Sequence, residues 1–430
     1  MSVIELGDVT AERPPDPAAD RIAAGFDRRR LRPVALLAVL LAALACGGAV
    51  RPEPNGMRLL WIAPRTVEQG VVLAEDAVYV ITGGDRAELV AYSLADGRRL
   101  WRWGTDAHLI TIHPAPGGGP LLVVADPASA GNPDGPAAKA SRTTIALRAA
   151  SGAELWRRPG EPHMDAVEQS SAMLMEFDPR GGVAALTRIR LEDGAGIWTT
   201  GESTPVQEVV VERLGDRPHR VITSTSAGDV TVRGYDDGAR LVSRRLPPAG
   251  YTARNSRLFG VAFDGERENT TVYRLDTLDE LLRGEGISDC GGVICAAGPS
   301  GLAALDPADG RELWRGPEIY GSVMTGDRIL TDDRDGAEHV LLESRTGRPL
   351  SGTVHGYVAW SQRRHDEVLL LRPTSDPIGL TSVTRLDLRT GRTALLGSLE
   401  PMPDQQACQT TPGYLMCTGW DRIVIAAVPR

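Results

Sequence analysis

One phrase recurs along this chain and constrains its fold more than any other feature. Alternating apolar residues run into Asp, Ser or Thr followed by Gly, and an apolar residue stands four positions after the Gly. The clearest copies run from Leu89 through Gly97 to Trp101, from Ala146 through Gly152 to Trp156, and from Ala304 through Gly310 to Trp314. A looser copy has Asp193-Gly194 and then Trp198. Three copies keep the turn and lose the indole: Gly238 then Val242, Gly347 then Ser351, and Gly391 then Leu395. Another, Tyr273-Arg274-Leu275-Asp276, keeps the strand and replaces the turn with residues 278–282.

Period-two alternation makes a half-buried strand, and Asp-Gly or Thr-Gly makes a tight turn, so each phrase predicts a β-hairpin. The turn glycines fall at 97, 152, 194, 238, 310, 347 and 391, a period near 40 once the irregular copy around 279 is counted. That period holds about four strands and is the signature of a propeller blade. The early segment Leu59-Leu60-Trp61-Ile62 has no hairpin before it, and residues 413–428 have strands with no phrase after them. Joined, they complete one blade and leave no open seam. The expectation is an all-β chain with a single propeller of about eight four-stranded blades over residues 57–430.

The Gly turn with its following Trp resembles the tryptophan-docking repeat of pyrroloquinoline-quinone-type (PQQ-like) propellers. The resemblance implies that Trp61, Trp101, Trp156, Trp198 and Trp314 dock one blade against the next, and that docking weakens where Val242, Ser351 and Leu395 replace the indole. It fits the aromatic content, in which eight Trp equal the eight Tyr and double the four Phe. The layout of tail, apolar segment and propeller is similar to PQQ-like repeat membrane proteins of actinobacterial type and, at the propeller only, to the BamB family of outer-membrane assembly propellers.

Residues 1–33 are polar and Pro-rich, end in the cluster Arg28, Arg29, Arg30, Arg32, and read as a disordered tail. From Val34 to Val50 seventeen residues follow without a charge. Such a helix is about 25 Å long, just short of a bilayer core of about 30 Å. The arginine excess predicts a cytoplasmic tail and an exported remainder. An uncleaved transmembrane signal anchor over 34–50, with a linker over 51–56, is the expectation. A cleaved signal ending at Ala43-Leu44-Ala45, or a lipoprotein acylated at Cys46, fits the same stretch. The expected location is the cell membrane, single-pass, with the propeller extracytoplasmic.

The other four cysteines form two local pairs. Cys408 and Cys417 are symmetric about a two-residue turn at Pro412-Gly413, and Cys290 and Cys295 about one at Gly292-Val293. Each pair should therefore face its partner directly, at the closer non-hydrogen-bonded positions of a hairpin, and form a disulfide. Disulfides accord with export into an oxidising space.

Signals for chemistry are thin. The net charge of −9 opposes nucleic-acid binding, and the basic residues are 46 arginines with Lys139 the lone lysine. The acidic loop Asp332-Asp333-Arg334-Asp335-Gly336 has Thr331 where a calcium loop wants its first ligand and no closing Glu. Histidines 108 and 113 have no partner set, Gly117-Gly118-Gly119 lacks the Lys-Ser/Thr of a phosphate loop, and Asn269-Thr270-Thr271 satisfies a glycosylation sequon. Quinoprotein dehydrogenases share the repeat, but this chain has neither an adjacent cysteine pair nor a Glu, Asn and Asp set for calcium. The sequence therefore predicts no enzyme, no catalytic residues, no cofactor and no metal site. It predicts a monomeric, membrane-tethered propeller that binds a protein or cell-envelope partner, the alternative being a small-molecule or quinone site in the channel.

Overall fold

Second and third strands carry the core. The strand Leu121–Asp126 is buried at every position and Ala77–Thr82 at all but its last, because each sheet is covered on both faces by its neighbours. The computed structural model describes residues 56–430 apart from 67–68, 83–86, 127–134, 216, 266, 299–300, 317–320, 362–365, 403–406 and 430. The predicted tail, the 34–50 anchor, most of the 51–56 linker and Cys46 lie outside the described residues. Among the described residues, no helix is long and apolar enough to cross a membrane.

Hydrogen bonding joins the described strands into eight sheets, antiparallel but for one short pair, and one of them is seven-stranded. In that sheet the continuous strand Gly196–Leu214 pairs through its first half with Val183–Arg190 and through its second half with Arg217–Thr225. It is the outer strand of one blade and the inner strand of the next, so the repeating unit is four-stranded throughout and there are nine such units. The first eight span residues 70–105, 108–159, 161–201, 206–245, 250–284, 287–315, 321–355 and 357–399. The ninth takes three strands from 408–427 and its outer strand, Arg58–Pro64, from the other end of the ring. The closure expected from the sequence is thus present.

The expected count of eight blades becomes nine because the irregular phrase at 273–282 is a complete turn. In all eight internal blades the residue at the glycine position donates its amide to the carbonyl four residues back, at 2.8–3.0 Å. The residue before it caps the amide two residues on: Asp96, Ser151, Asp193, Asp237, Thr277, Asp309, Thr346 and Thr390. Thr277-Leu278 belongs to this series. Leu278 adopts the left-handed φ of +58° that its seven counterparts take as glycine.

Two further features bear on function. The short strand Trp360–Ser361 pairs in parallel with Cys408–Thr411, adding a fifth strand at the inner edge of the ninth blade. The outer strands carry exposed arginines, several paired three residues away on the same strand, as in Arg157 with Glu154, Arg283 with Glu280 and Arg315 with Glu312. Such charges guard free edges against pairing with other chains.

Candidate functional site

The five tryptophans named from the sequence all do the same thing. The indole N–H of Trp61 donates to the carbonyl of Leu94 at 3.0 Å, Trp101 to Ala149 at 2.7 Å and Trp156 to Leu191 at 2.8 Å. Trp198 donates to Tyr235 at 2.9 Å and Trp314 to Ser344 at 2.7 Å. Each acceptor lies three residues before the turn glycine of the following blade, and each indole lies flat against that glycine. A methyl group on Gly97, Gly152, Gly194, Gly238 or Gly347 would stand 2.6–2.8 Å from the docked ring. The glycine is therefore needed twice, for its positive φ and for the room it leaves.

Four junctions lack the indole, and each uses something else. At the fourth, Val242 and the fully buried Leu278 share one core, and Arg244 donates to the Leu278 carbonyl and pairs with Asp279 at 2.5 Å. On the inner strands there, Glu208 accepts from the Tyr251 amide at 2.9 Å and Glu212 from the Ser256 amide at 2.6 Å. At the fifth, Leu282 lies beside Gly310, and Asn255 and Arg257 both reach Asp289. At the seventh, the Leu350 carbonyl crosses Gly391 and Ser351 accepts from the Leu341 amide. At the eighth, the Met57 amide reaches the Leu396 carbonyl and an apolar cluster spans both blades. Leu395 is exposed, because the ninth blade takes its outer strand from Arg58–Pro64 and has no turn there to dock on.

Both cysteine pairs form disulfides, with all four residues buried. Cys408 and Cys417 sit directly opposite, Cα atoms 4.1 Å apart, in the expected register. The other hairpin departs from expectation. Ser288 faces Cys295, Asp289 faces Ile294 and the Cys290 amide donates to the Val293 carbonyl at 3.0 Å, so the turn sits one residue earlier, on Gly291-Gly292, and the bond runs diagonally across the hairpin. Gly291, at a φ of +73°, passes so close to the Gly326 carbonyl of the next blade that a side chain there would not fit.

Several polar residues singled out in the sequence have partners within the fold. Asp333 caps its own hairpin through the amides of Ala337 and Glu338, which holds its carboxyl below the usual range. Asp236 pairs with Arg188, whose guanidinium also lies 4.5 Å over the Tyr235 ring. Gly117 packs against Gln169 in a turn, and the sequon lies within a strand with Asn269 and Thr271 part-buried on either side of the fully buried Thr270. Burial pushes the His113 imidazole down to about 4, aided by the neighbouring His163, so both are neutral at physiological pH. Among the described residues, no group of three or more His, Cys, Asp or Glu is placed to hold a metal ion. A cleft of about 300 Å³ lies between the eighth and ninth blades, where Arg385 joins Glu367 to the Pro429 carbonyl.

Sequence reasoning passed over His339. Its ring is buried, with Nδ1 2.8 Å from an Asp332 carboxylate oxygen and Nε2 2.7 Å from the Gly356 carbonyl in the connection to the eighth blade. Burial alone would lower its pKa, but these acceptors outweigh it and raise it. Its place beside Asp332 was legible in the acidic loop. Its reach to Gly356 was not.

The fold and its latches define a class: a β-propeller built from tryptophan-docking repeats. Residues 53–246 match the family model described as outer membrane protein assembly factor BamB. That span covers the ninth blade's outer strand and the first four blades, and it stops just past the point where Val242 replaces the indole. No curated protein matches the chain. Among solved structures, BamB from Moraxella catarrhalis is 11% identical with a TM-score of 0.42, covering 86% of this chain and 99% of that one. The computationally designed Ika8 protein is 13% identical with a TM-score of 0.44, covering 87% of this chain and 99% of that one. The C-terminal WD40 domain of Sif2 is 10% identical with a TM-score of 0.41, covering 88% of this chain and 98% of that one.

Proposed function

We propose that this chain is a non-catalytic, membrane-tethered extracytoplasmic propeller that acts as a protein-interaction or envelope scaffold module. The observation that carries the reading is the match of residues 53–246 to the BamB family model, over the stretch in which four indoles latch consecutive blades. A ring stiffened at its turns presents loops in fixed positions, which suits recognition of a partner. The arginine-flanked apolar segment 34–50 supports the tether and the cytoplasmic tail. The buried disulfides support an oxidising location.

The test is photo-crosslinking in cells from residues spread over both faces of the ring, with protease protection reporting which side of the membrane the propeller occupies. A discrete cross-linked protein and an accessible propeller are expected. Micromolar binding of pyrroloquinoline quinone with calcium, accompanied by dye-linked alcohol oxidation, would overturn the reading in favour of a quinone-binding propeller.

A further inference from the structure

The two faces of the ring differ in what their hairpins carry. One face holds the hairpins between second and third strands together with the connections between blades. Arg65 in one such connection donates to the Gly419 carbonyl, and His339 in one such hairpin reaches Gly356. On this face lie the most exposed large apolar side chains of the described residues: Ile378 at 88%, Trp420 at 77% and Phe263 at 71%. Each is within two residues of an aspartate, Asp376, Asp421 and Asp264 respectively.

Ile378 and Trp420 belong to neighbouring blades, the eighth and the ninth, joined by a shared core. The seventh blade, packed on the eighth, brings the acidic hairpin. The three hairpin tips, residues 332–338, 375–378 and 419–421, hold six carboxylates and one guanidinium. Asp332 is engaged with His339, and Asp333 is held ionised by its own turn. Asp335, Asp376 and Asp421 stand exposed, with Glu338 beside His355. Hairpin tips are ordinarily polar, so a tryptophan and an isoleucine standing exposed on the tips of adjacent blades, each beside an aspartate, offer apolar anchors within an acidic surface.

We propose that this arc of the seventh, eighth and ninth blades is a docking surface for a cationic, amphipathic segment of another protein. The apolar face of that segment covers Ile378 and Trp420, and its Lys or Arg side chains meet the carboxylates around them. Charge complementarity selects the partner and the two apolar knobs anchor it. The inference rests on the interaction-module reading above and assigns it a face and a partner chemistry.

The test uses the full-length protein and a synthetic peptide of Lys and Leu at helical amphipathic spacing, with a central photoreactive residue, at about 0.15 M salt. Crosslinks are mapped by mass spectrometry. They are expected on residues 332–338, 375–380 and 419–422, and to fall about tenfold in Ile378→Ser/Trp420→Ser, a loss equal to about 1.4 kcal/mol. A similar fall is expected in Asp335→Asn/Asp376→Asn/Asp421→Asn, and none in Met164→Ser/Leu214→Ser on the opposite face. Crosslinks elsewhere, equal labelling by a Lys/Ser or a Glu/Leu peptide, or no response to the first two variants overturns the proposal. A cellular partner that crosslinks to the other face would sink this surface and leave the scaffold reading standing, whereas no cellular partner at all would remove that reading as well.

Discussion

Trp101 and Gly152 fit one another across a blade junction. The indole donates to Ala149 at 2.7 Å, and its six-membered ring lies 2.6 Å from where a methyl on Gly152 would be. Gly152 itself takes a φ of +69°. The fit predicts a non-additive pair. Gly152→Ala imposes a left-handed alanine costing about 1–2 kcal/mol and also displaces the ring. Trp101→Ala removes a buried indole, at about 3–5 kcal/mol. In the double variant the methyl no longer meets a ring, so the total should fall short of the sum by about 1 kcal/mol or more. Urea unfolding of the four proteins measures this, and strict additivity would show that ring and turn are not coupled.

The disulfides should stabilise to a limited degree, since both close short loops. Cys408→Ser/Cys417→Ser and Cys290→Ser/Cys295→Ser are each expected to lower stability by less than the ~3 kcal/mol of a 15-residue loop. The diagonal Cys290–Cys295 bond spans five positions and the cross-strand bond nine, so the former should contribute less. Denaturant midpoints compare the variants. Thiol counting by mass spectrometry on protein isolated from its native cells without reductant checks that all four are oxidised, and four free thiols would reject both bonds.

His339 makes the seventh blade sensitive to pH. Its folded pKa is raised by Asp332 and the Gly356 and Thr331 carbonyls against the opposing effect of burial. A raised folded value means that the protonated ring binds its neighbours better than it binds water. That contribution is complete below the unfolded value of about 6.5 and is lost as pH rises through the folded value. Urea midpoints of the wild type should therefore decline from near neutrality into mildly alkaline solution more steeply than those of His339→Gln. Parallel profiles would show that the ring is not protonated in the folded state.

What was legible in the sequence follows from what each residue needs. Gly97, Gly152 and Gly194 announce turns because few other residues take a positive φ, and an indole at a fixed offset leaves a signature no other side chain imitates. Leu278 hides its turn because its conformation is imposed by the surrounding core, which local propensity does not record, and the blade count came out one short for that reason. Cys290 gave the correct partner in the wrong register, since either adjacent dipeptide could supply the turn and it is Gly291, at a φ of +73°, that opens it. Trp103 packs part-buried on the first core and Trp420 stands in water, two fates that the same letter cannot distinguish. The inner-strand ties of Glu208 and Glu212 were invisible because their partners are backbone amides, which every sequence has.

The exception at Leu278 supplies the sharpest test of the latch. At the fourth junction a smaller residue, Val242, stands where the indole would be, and a larger one, Leu278, stands where the glycine would be, both in one core. Leu278→Gly alone leaves a cavity, for which about 2–5 kcal/mol is typical, offset by about 1 kcal/mol from the relieved left-handed backbone. Val242→Trp alone drives an indole into the Leu278 side chain and should also destabilise. Together they rebuild the arrangement of Trp101 on Gly152. The new indole N–H should find the Leu275 carbonyl, three residues before the turn position, as Ala149 stands before Gly152. The double variant is expected to be more stable than either single one by about 2 kcal/mol. Urea midpoints decide it. A double variant no better than Leu278→Gly would mean that the latch needs more than its Trp and Gly, and that the shape of the whole junction, set along residues 206–284, determines which pair it accepts.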